Sequence, residues 1–229
     1  GRTPNPDILC NREIKFNSFF NYAMDEGYDF IATGHYVRNK KYREKTTLLK
    51  GKDKGKDQSY FLHSVRSEAL AKSIFPLGTL NKTEVRKTAK KEGLITSEKK
   101  DSTGICFIGE RPFPEFLNNY IPHDPGIIED ENGSEIGEHK GLAFYTLGQR
   151  QGLGIGGLKH SKNDPWYVAK KNLKKNTLVA VQGNNHPLLM SSQLETANLK
   201  LVNELDEKRF NGKAKVRYRQ EDQDCFIEI

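Results

Sequence analysis

The stretch "IPHDPG", residues 121–126, most limits what this chain can fold into. Pro122, Pro125 and Gly126 punctuate the chain, because proline removes a backbone donor and glycine offers no side chain to pack. Upstream, apolar residues recur at helical spacing between short apolar runs. Downstream, short β-rich runs alternate with Gly and Asn turns, as in "GIIEDENGSEIG", "DPWYVAKKNLKKNTLVAV" and "AKVRYRQEDQDCFIEI". The two periods belong to different layers. The expectation is an α/β part followed by small β-barrel or sandwich modules.

The upstream part can be read element by element. "REIKFNSFFNYAMDEG" predicts a helix with Ile14, Phe19, Ala23 and Met24 on one face and Gly27 as its stop. "YDFIATGHYV" predicts a short strand running into Gly34, the place where α/β sheets bind ligands. "NKKYREKTTLLKGKDKGKDQ" is lysine-rich and reads as a hairpin or a surface excursion. Residues 60–95 read as mostly helical. Within them Asn81 and Glu84 form a capping box, Leu80 and Val85 a staple, and Gly93 an end. These elements are too few for a complete doubly wound sheet, so an N-terminal portion is expected before residue 1. "Glu-Asn-Gly" at 131–133 marks a hairpin turn.

Composition narrows the class. Net charge is +7, with Lys and Arg spread along the chain, which suits a polyanionic partner, nucleic acid first. No apolar run approaches the ~18 residues of a membrane span, and no secretory signal opens the chain. The three cysteines, Cys10, Cys106 and Cys225, form no C-x-x-C pair and no zinc spacing. A cytoplasmic protein whose thiols are either packed or reactive is the default.

Four motifs carry chemistry. "GLGIGG" at 152–157 matches G-x-G-x-x-G, but "LKHSKNDPW" after it has no helical period, so a dinucleotide site is rejected. No Walker-type loop occurs. "KDQSYFL" at 56–62 offers Lys56 to a phosphate and Asp57 and Gln58 to a base, or simply an exposed loop with a capping Asp57. "DSTGICFIGERPF" holds Cys106, either packed in a strand or made reactive by Lys99, Lys100 or Arg111. In "TPNPDILCNR", Pro4 and Pro6 predict a rigid extended strap presenting Asn5 and Asp7. If Ile8 and Leu9 begin a helical turn, Asp7 and Cys10 share a face. Asp7 can then be a general acid or base, or a plain N-cap beside a packed Cys10. A carboxylate disfavours a neighbouring thiolate, so another group must activate the sulfur.

Taken in order, "TPNPDILCNREIKF", "ATGHYVR", "KDQSYFL", "DSTGICFIGERPF" and "YTLGQRQGLGIGG…PWYV" closely resemble the tRNA-specific 2-thiouridylases, from Thr3 to about Gln220. That resemblance implies a Rossmann-like adenine-nucleotide α-hydrolase (PP-loop) catalytic domain over residues 1–122, a small central β domain over 123–193, and the start of a C-terminal β-barrel over 194–229. It implies ATP-dependent adenylation of the wobble uridine C2 oxygen, with Mg2+, and its replacement by persulfide sulfur. Cys106 matches the persulfide-bearing cysteine, and Cys10 the cysteine that forms a disulfide with it. Asp7 matches the acid–base residue, and Asn5, Pro6 and Asp7 the segment contacting the target base. Gly34 matches an ATP-contacting glycine. Lys56, Asp57 and Gln58, with Arg217 and Tyr218, match tRNA-contacting segments. The implied partners are tRNAs of the Lys, Glu and Gln type, a cysteine desulfurase and sulfur-relay proteins.

The family's PP-loop has no counterpart in these residues, and its C-terminal barrel extends further. The chain is therefore expected to be part of a longer enzyme and inactive alone. Cys225 matches no family role. The alternative expectation is a non-catalytic RNA-binding module whose cysteines are structural.

Overall fold

A computed structural model of the chain describes residues 3, 5–99, 120, 124–156, 164–197 and 199–229. The chain forms two compact units. One comprises residues 6–101 and 198–229, the other residues 1–5 and 102–197.

The first unit opens with α1 (Pro6–Leu9), continues without a break into a π-wound stretch, Cys10–Ser18, and ends as α2 (Phe19–Asp25). In the π stretch hydrogen bonds skip one residue more than in an α-helix; the Phe19 amide donates to the Ile14 carbonyl. Phe16 is kinked out of helical geometry (φ −101°, ψ 16°). The wider turn changes which side chains face inward. Phe16, Phe20 and Ala23 are buried, whereas Ile14 and Phe19, predicted to face the core, are about half exposed. Gly27 ends the helix as expected. Its φ of +87° lets its own amide reach Met24 and the Tyr28 amide reach Ala23, which satisfies the last carbonyls.

The chain then forms β1 (Ile31–Ala32), β2 (Val37–Tyr42), β3 (Lys45–Lys50), α3 (Ser59–Leu62), α4 (Ser67–Ala71), β4 (Ser73–Ile74) and α5 (Lys82–Lys91). β1 pairs in parallel with β4. β2 and β3 form the antiparallel hairpin expected from the lysine-rich stretch. The capping box of α5 is present: the Asn81 amide donates to Glu84 at 2.6 Å. Residues 60–95 are less helical than predicted. β4 and the turn around Pro76–Gly78 interrupt them, since Asn39 binds the Leu70 and Ser73 carbonyls and holds that backbone beside β2. The core joins Phe16, Phe20 and Ile31 to Val37, Leu62, Val65, Leu70 and Phe75.

In the second unit, β5 (Gly126–Glu129), β6 (Glu135–His139), β7 (Trp166–Asn172) and β8 (Thr177–Gln182) make one sheet in the order β6-β5-β8-β7. The predicted 131–133 turn joins β5 and β6, with Asp130 Oδ1 accepting from the Asn132 and Ser134 amides. Ile128, Val168, Leu178 and Ala180 form its core with Leu142 and Tyr145. Buried His139 accepts from the Gly141 amide through Nδ1, which leaves Nε2 to donate to the Asn176 carbonyl. It is a structural histidine.

The first unit is completed by β9 (Arg209–Ala214) and β10 (Gln223–Glu228), an antiparallel pair whose connection carries Arg217 and Tyr218. Among the described residues no helix is long and apolar enough to cross a membrane.

Candidate functional site

Pro6 occupies the first position of α1, where its fixed φ suits the helix and its missing donor costs nothing. The expected extended strap therefore gives way to a helix by residue 6, and Asp7 is helical rather than extended. Asp7 lies in the first turn, where the exposed amide ends favour a carboxylate. Cys10 follows three residues later on the same side. Its thiol is free and buried, 9% exposed. Asn11 beside it is also buried, and its Oδ1 has no hydrogen-bond partner. Asn5 is exposed, and Thr3, in the other unit, donates to the Tyr145 carbonyl at 2.6 Å. Cys106 lies outside the described residues, as do Lys100, Arg111 and Pro4.

Gly34 sits just beyond the carboxyl end of β1. It is exposed, and a Cβ added there would meet only Leu77 Cδ1, at 3.8 Å. A ligand can thus approach this backbone closely. His35 follows, 8% exposed, with Nδ1 3.0 Å from Thr33 Oγ1 and its ring 5.7 Å from that of Phe16. Burial, reinforced by the charge of Lys15, lowers its pKa to about 4. The imidazole is neutral at physiological pH and able to donate or accept a single hydrogen bond. Sequence reasoning passed over His35, although it stands in the quoted "ATGHYVR".

Lys56–Gln58 and Arg217–Tyr218 meet in the first unit although about 160 residues separate them. Asp57 is 6% exposed. Its Oδ1 accepts from the Gly51 amide at 2.9 Å and the Ser59 amide at 3.3 Å, and its Oδ2 from the Ser59 hydroxyl at 2.7 Å. Gln58 clasps Tyr36 twice. Its amide donates to the Tyr36 carbonyl at 3.1 Å, and its Oε1 accepts the Tyr36 amide at 2.9 Å. Gly51 closes the same knot, since a Cβ there would fall 2.4 Å from the Tyr36 carbonyl oxygen. Both Asp57 and Gln58 thus spend side-chain acceptors on the loop that carries Lys56.

The Tyr218 ring packs 4.5 Å from Phe61 and 6.0 Å from Tyr60. The Tyr60 hydroxyl donates to the Val216 carbonyl at 3.2 Å, and Lys215 Nζ lies 5.9 Å over the Tyr60 ring. Burial, then the charge of Asp57, pushes the Tyr218 phenol above its ordinary range. Aromatic faces among cations are what unstacked bases and phosphates bind. Tyr60, Phe61 and Lys215 were not singled out from sequence, though "SYF" directly follows the Lys-Asp-Gln signal.

Comparison with known proteins decides the family. Residues 1–110 match the tRNA methyl transferase HUP domain, and residues 114–182 the tRNA methyl transferase PRC-barrel domain. The tRNA-specific 2-thiouridylase MnmA of Pseudomonas paraeruginosa is 58% identical over 229 residues, all of this chain and 61% of that protein. The namesake from Pseudomonas aeruginosa gives the same figures. That of Marinobacter nauticus is 55% identical over 233 residues, all of this chain and 59% of its own length. The chain belongs to the tRNA-specific 2-thiouridylase family. It spans about three fifths of the family members it matches. Its fold is a HUP domain, Rossmann-like, with a PRC-barrel domain, in accord with the expected α/β part and small β module.

Proposed function

We propose that the protein serves tRNA 2-thiouridine synthesis at the wobble uridine, as a sulfurtransferase. The observation that carries this is the α1 turn, which sets Asp7 and Cys10 three residues apart on one helical face, in a chain 58% identical to named 2-thiouridylases. Under this reading residues 1–122 belong to the catalytic domain, 123–193 to the central β domain and 194–229 to the C-terminal barrel. The protein works in the cytoplasm.

In the proposed reaction Cys106 carries a persulfide supplied by a cysteine desulfurase through relay proteins. ATP, with Mg2+, makes the uridine C2 oxygen a leaving group. The Cys10 thiolate attacks the Cys106 sulfur, and the terminal sulfur departs with its electron pair as hydrosulfide. That sulfide bonds to C2, and the C2–O bond breaks as AMP leaves. The Cys10–Cys106 disulfide is returned to two thiols by a dithiol reductant. Asp7 moves a proton to or from the base. Asn5, Pro6 and Asp7 contact the flipped uridine. Gly34, open on its Cα side, suits the approach of the nucleotide. Lys56 and Arg217 hold tRNA phosphates, and Tyr218 offers an aromatic face. Asp57 and Gln58 act through the loop they build. Substrates are tRNAs of the Lys, Glu and Gln type.

The burial of Cys10 favours a second reading, an RNA-binding module with packed cysteines. Mass spectrometry after incubation with a cysteine desulfurase and cysteine separates the two. A gain of about 32 Da, one sulfur atom, on Cys106 is expected, and an unreactive Cys106 supports the second reading. In the full-length protein Cys106→Ser should abolish thiolation while tRNA binding persists; retained thiolation would sink the assignment.

A further inference from the structure

We propose that the solvent face of the β2–β3 hairpin is an additional RNA-binding surface that takes a stretch of sugar-phosphate backbone; this rests on the reading of the protein as a tRNA enzyme. Residues 37–50 hold six cations, Arg38, Lys40, Lys41, Arg43, Lys45 and Lys50, against the single carboxylate of Glu44. The hairpin thus carries a net +5 in a chain of net +7.

Register sorts these side chains. The cross-strand pairs Arg38–Leu49, Lys40–Thr47 and Tyr42–Lys45 share one face, because paired residues in an antiparallel ladder point the same way. The opposite face holds the anchors. Val37 and Thr46 are buried, Leu48 packs against the core, and Asn39 Nδ2 donates to the Leu70 and Ser73 carbonyls at 2.6 and 2.9 Å. The outward row is therefore held on a fixed backing, with successive residues about 7 Å apart along the strand.

Among the described residues none of Lys40, Lys41 and Arg43 meets a carboxylate within ion-pair distance. Lysines that serve only solubility need no aromatic partner, yet Tyr42 stands among these cations 64% exposed, with the Arg43 guanidinium 5.5 Å from its ring centre. A cation row with one exposed ring suits a polyanion that also offers flat bases.

The row also starts where the other tRNA-contact candidates stand. Val37 follows Tyr36, which Gln58 clasps. At the far strand's end Lys50 pairs with Asp222, in the connection that carries Arg217 and Tyr218. Lys45 donates to the Glu204 carbonyl at 3.1 Å, and Asn203 Nδ2 donates to the Thr46 carbonyl at 2.9 Å, bracing the outer end. Six residues of strand give a ridge about 20 Å long leading away from Lys56 and Tyr218. An RNA helix whose loop engages those residues can lay its backbone along that ridge.

The test is equilibrium binding of unmodified tRNA to the full-length protein across a salt series. Replacing Lys40, Lys41 and Arg43 together by Gln should weaken binding roughly tenfold or more at low salt and lower the slope of log affinity against log salt by about two to three. Lys40→Arg, Lys41→Arg and Arg43→Lys, which keep the charge, should bind like the unsubstituted protein and so separate charge from folding. Unchanged affinity and slope in the Gln variant would overturn the hairpin's role alone. Failure of the unsubstituted protein to bind tRNA would overturn the underlying reading and the hairpin's role with it. Loss of poly-glutamate binding with tRNA affinity intact would assign the face to an acidic protein and also overturn the proposal.

Discussion

The α1 turn and the Lys56 loop carry candidate chemistry in opposite ways. In the turn, Pro6, Asp7 and Cys10 derive their arrangement from helical spacing alone, within five consecutive residues. In the loop, Lys56 stands on a framework drawn from far along the chain: Gly51, Tyr36, Ser59 and, across 160 residues, Val216 and Tyr218. Local geometry makes a reactive group insensitive to distant change. Non-local geometry ties a binding loop to the stability of its whole unit. Substitutions should therefore separate activity from stability in the turn and couple binding to stability in the loop.

The largest effect is expected in the turn. Cys10→Ser should reduce 2-thiouridine formation to background in the full-length protein, because no disulfide with Cys106 can form. Stability should change by only about 1 kcal/mol, the usual cost of a small buried substitution. Formation of 2-thiouridine by this variant at a measurable fraction of the normal rate would remove Cys10 from the chemistry.

Next comes His35, between the two regions. Its folded pKa lies below its unfolded value of 6.5. Below pH 6.5 the unfolded chain takes up a proton that the folded chain refuses down to about pH 4. The stability conferred by the neutral imidazole is thus complete above pH 6.5 and falls with pH through that window, by up to about 3 kcal/mol. Denaturant midpoints measured from pH 7 to 4 should show this slope, and His35→Gln should flatten it. Equal slopes in both proteins would mean that His35 is not the group responsible.

Asp57→Ala should have the smallest effect of the three and a coupled one. The Gly51 amide loses its acceptor, which costs about 2 kcal/mol, and tRNA affinity should fall with it. Because the charge of Asp57 contributes to holding the Tyr218 phenol high, ultraviolet titration should find that phenol ionising at lower pH in the variant. A loss of affinity with stability and the phenol unchanged would make Asp57 a direct tRNA contact and break the contrast with the turn.

How much was legible follows the same division. The capping box at Asn81, the stop at Gly27, the turn at 131–133 and the Asp7–Cys10 spacing depend on neighbours in sequence and are all present. The inward face of the first helix was misread at Ile14 and Phe19, because π winding is set by how Phe16 and Phe20 pack, not by local propensity. The helical reading of 60–95 missed β4, whose pairing with β1 lies 42 residues upstream. Asp57 looked like a capping or base-contacting residue, and only the folded chain places the Gly51 amide against it. Tyr218 beside Phe61 carries no sequence signal at all, since nothing local links the two.

The π-wound stretch also bears on which changes of chain length the protein can survive. Its turns hold more residues than α-turns do, so losing one residue between Asn11 and Ser18 would let the stretch tighten toward ordinary winding. Tightening by one residue rotates everything before it by about 100° relative to Phe20 and Ala23. Asp7 and Cys10 would swing to another side of the helix while every side chain kept its identity. Residues 10–18 are thus constrained in number as well as in kind, and in this stretch a deletion is a graver lesion than a substitution.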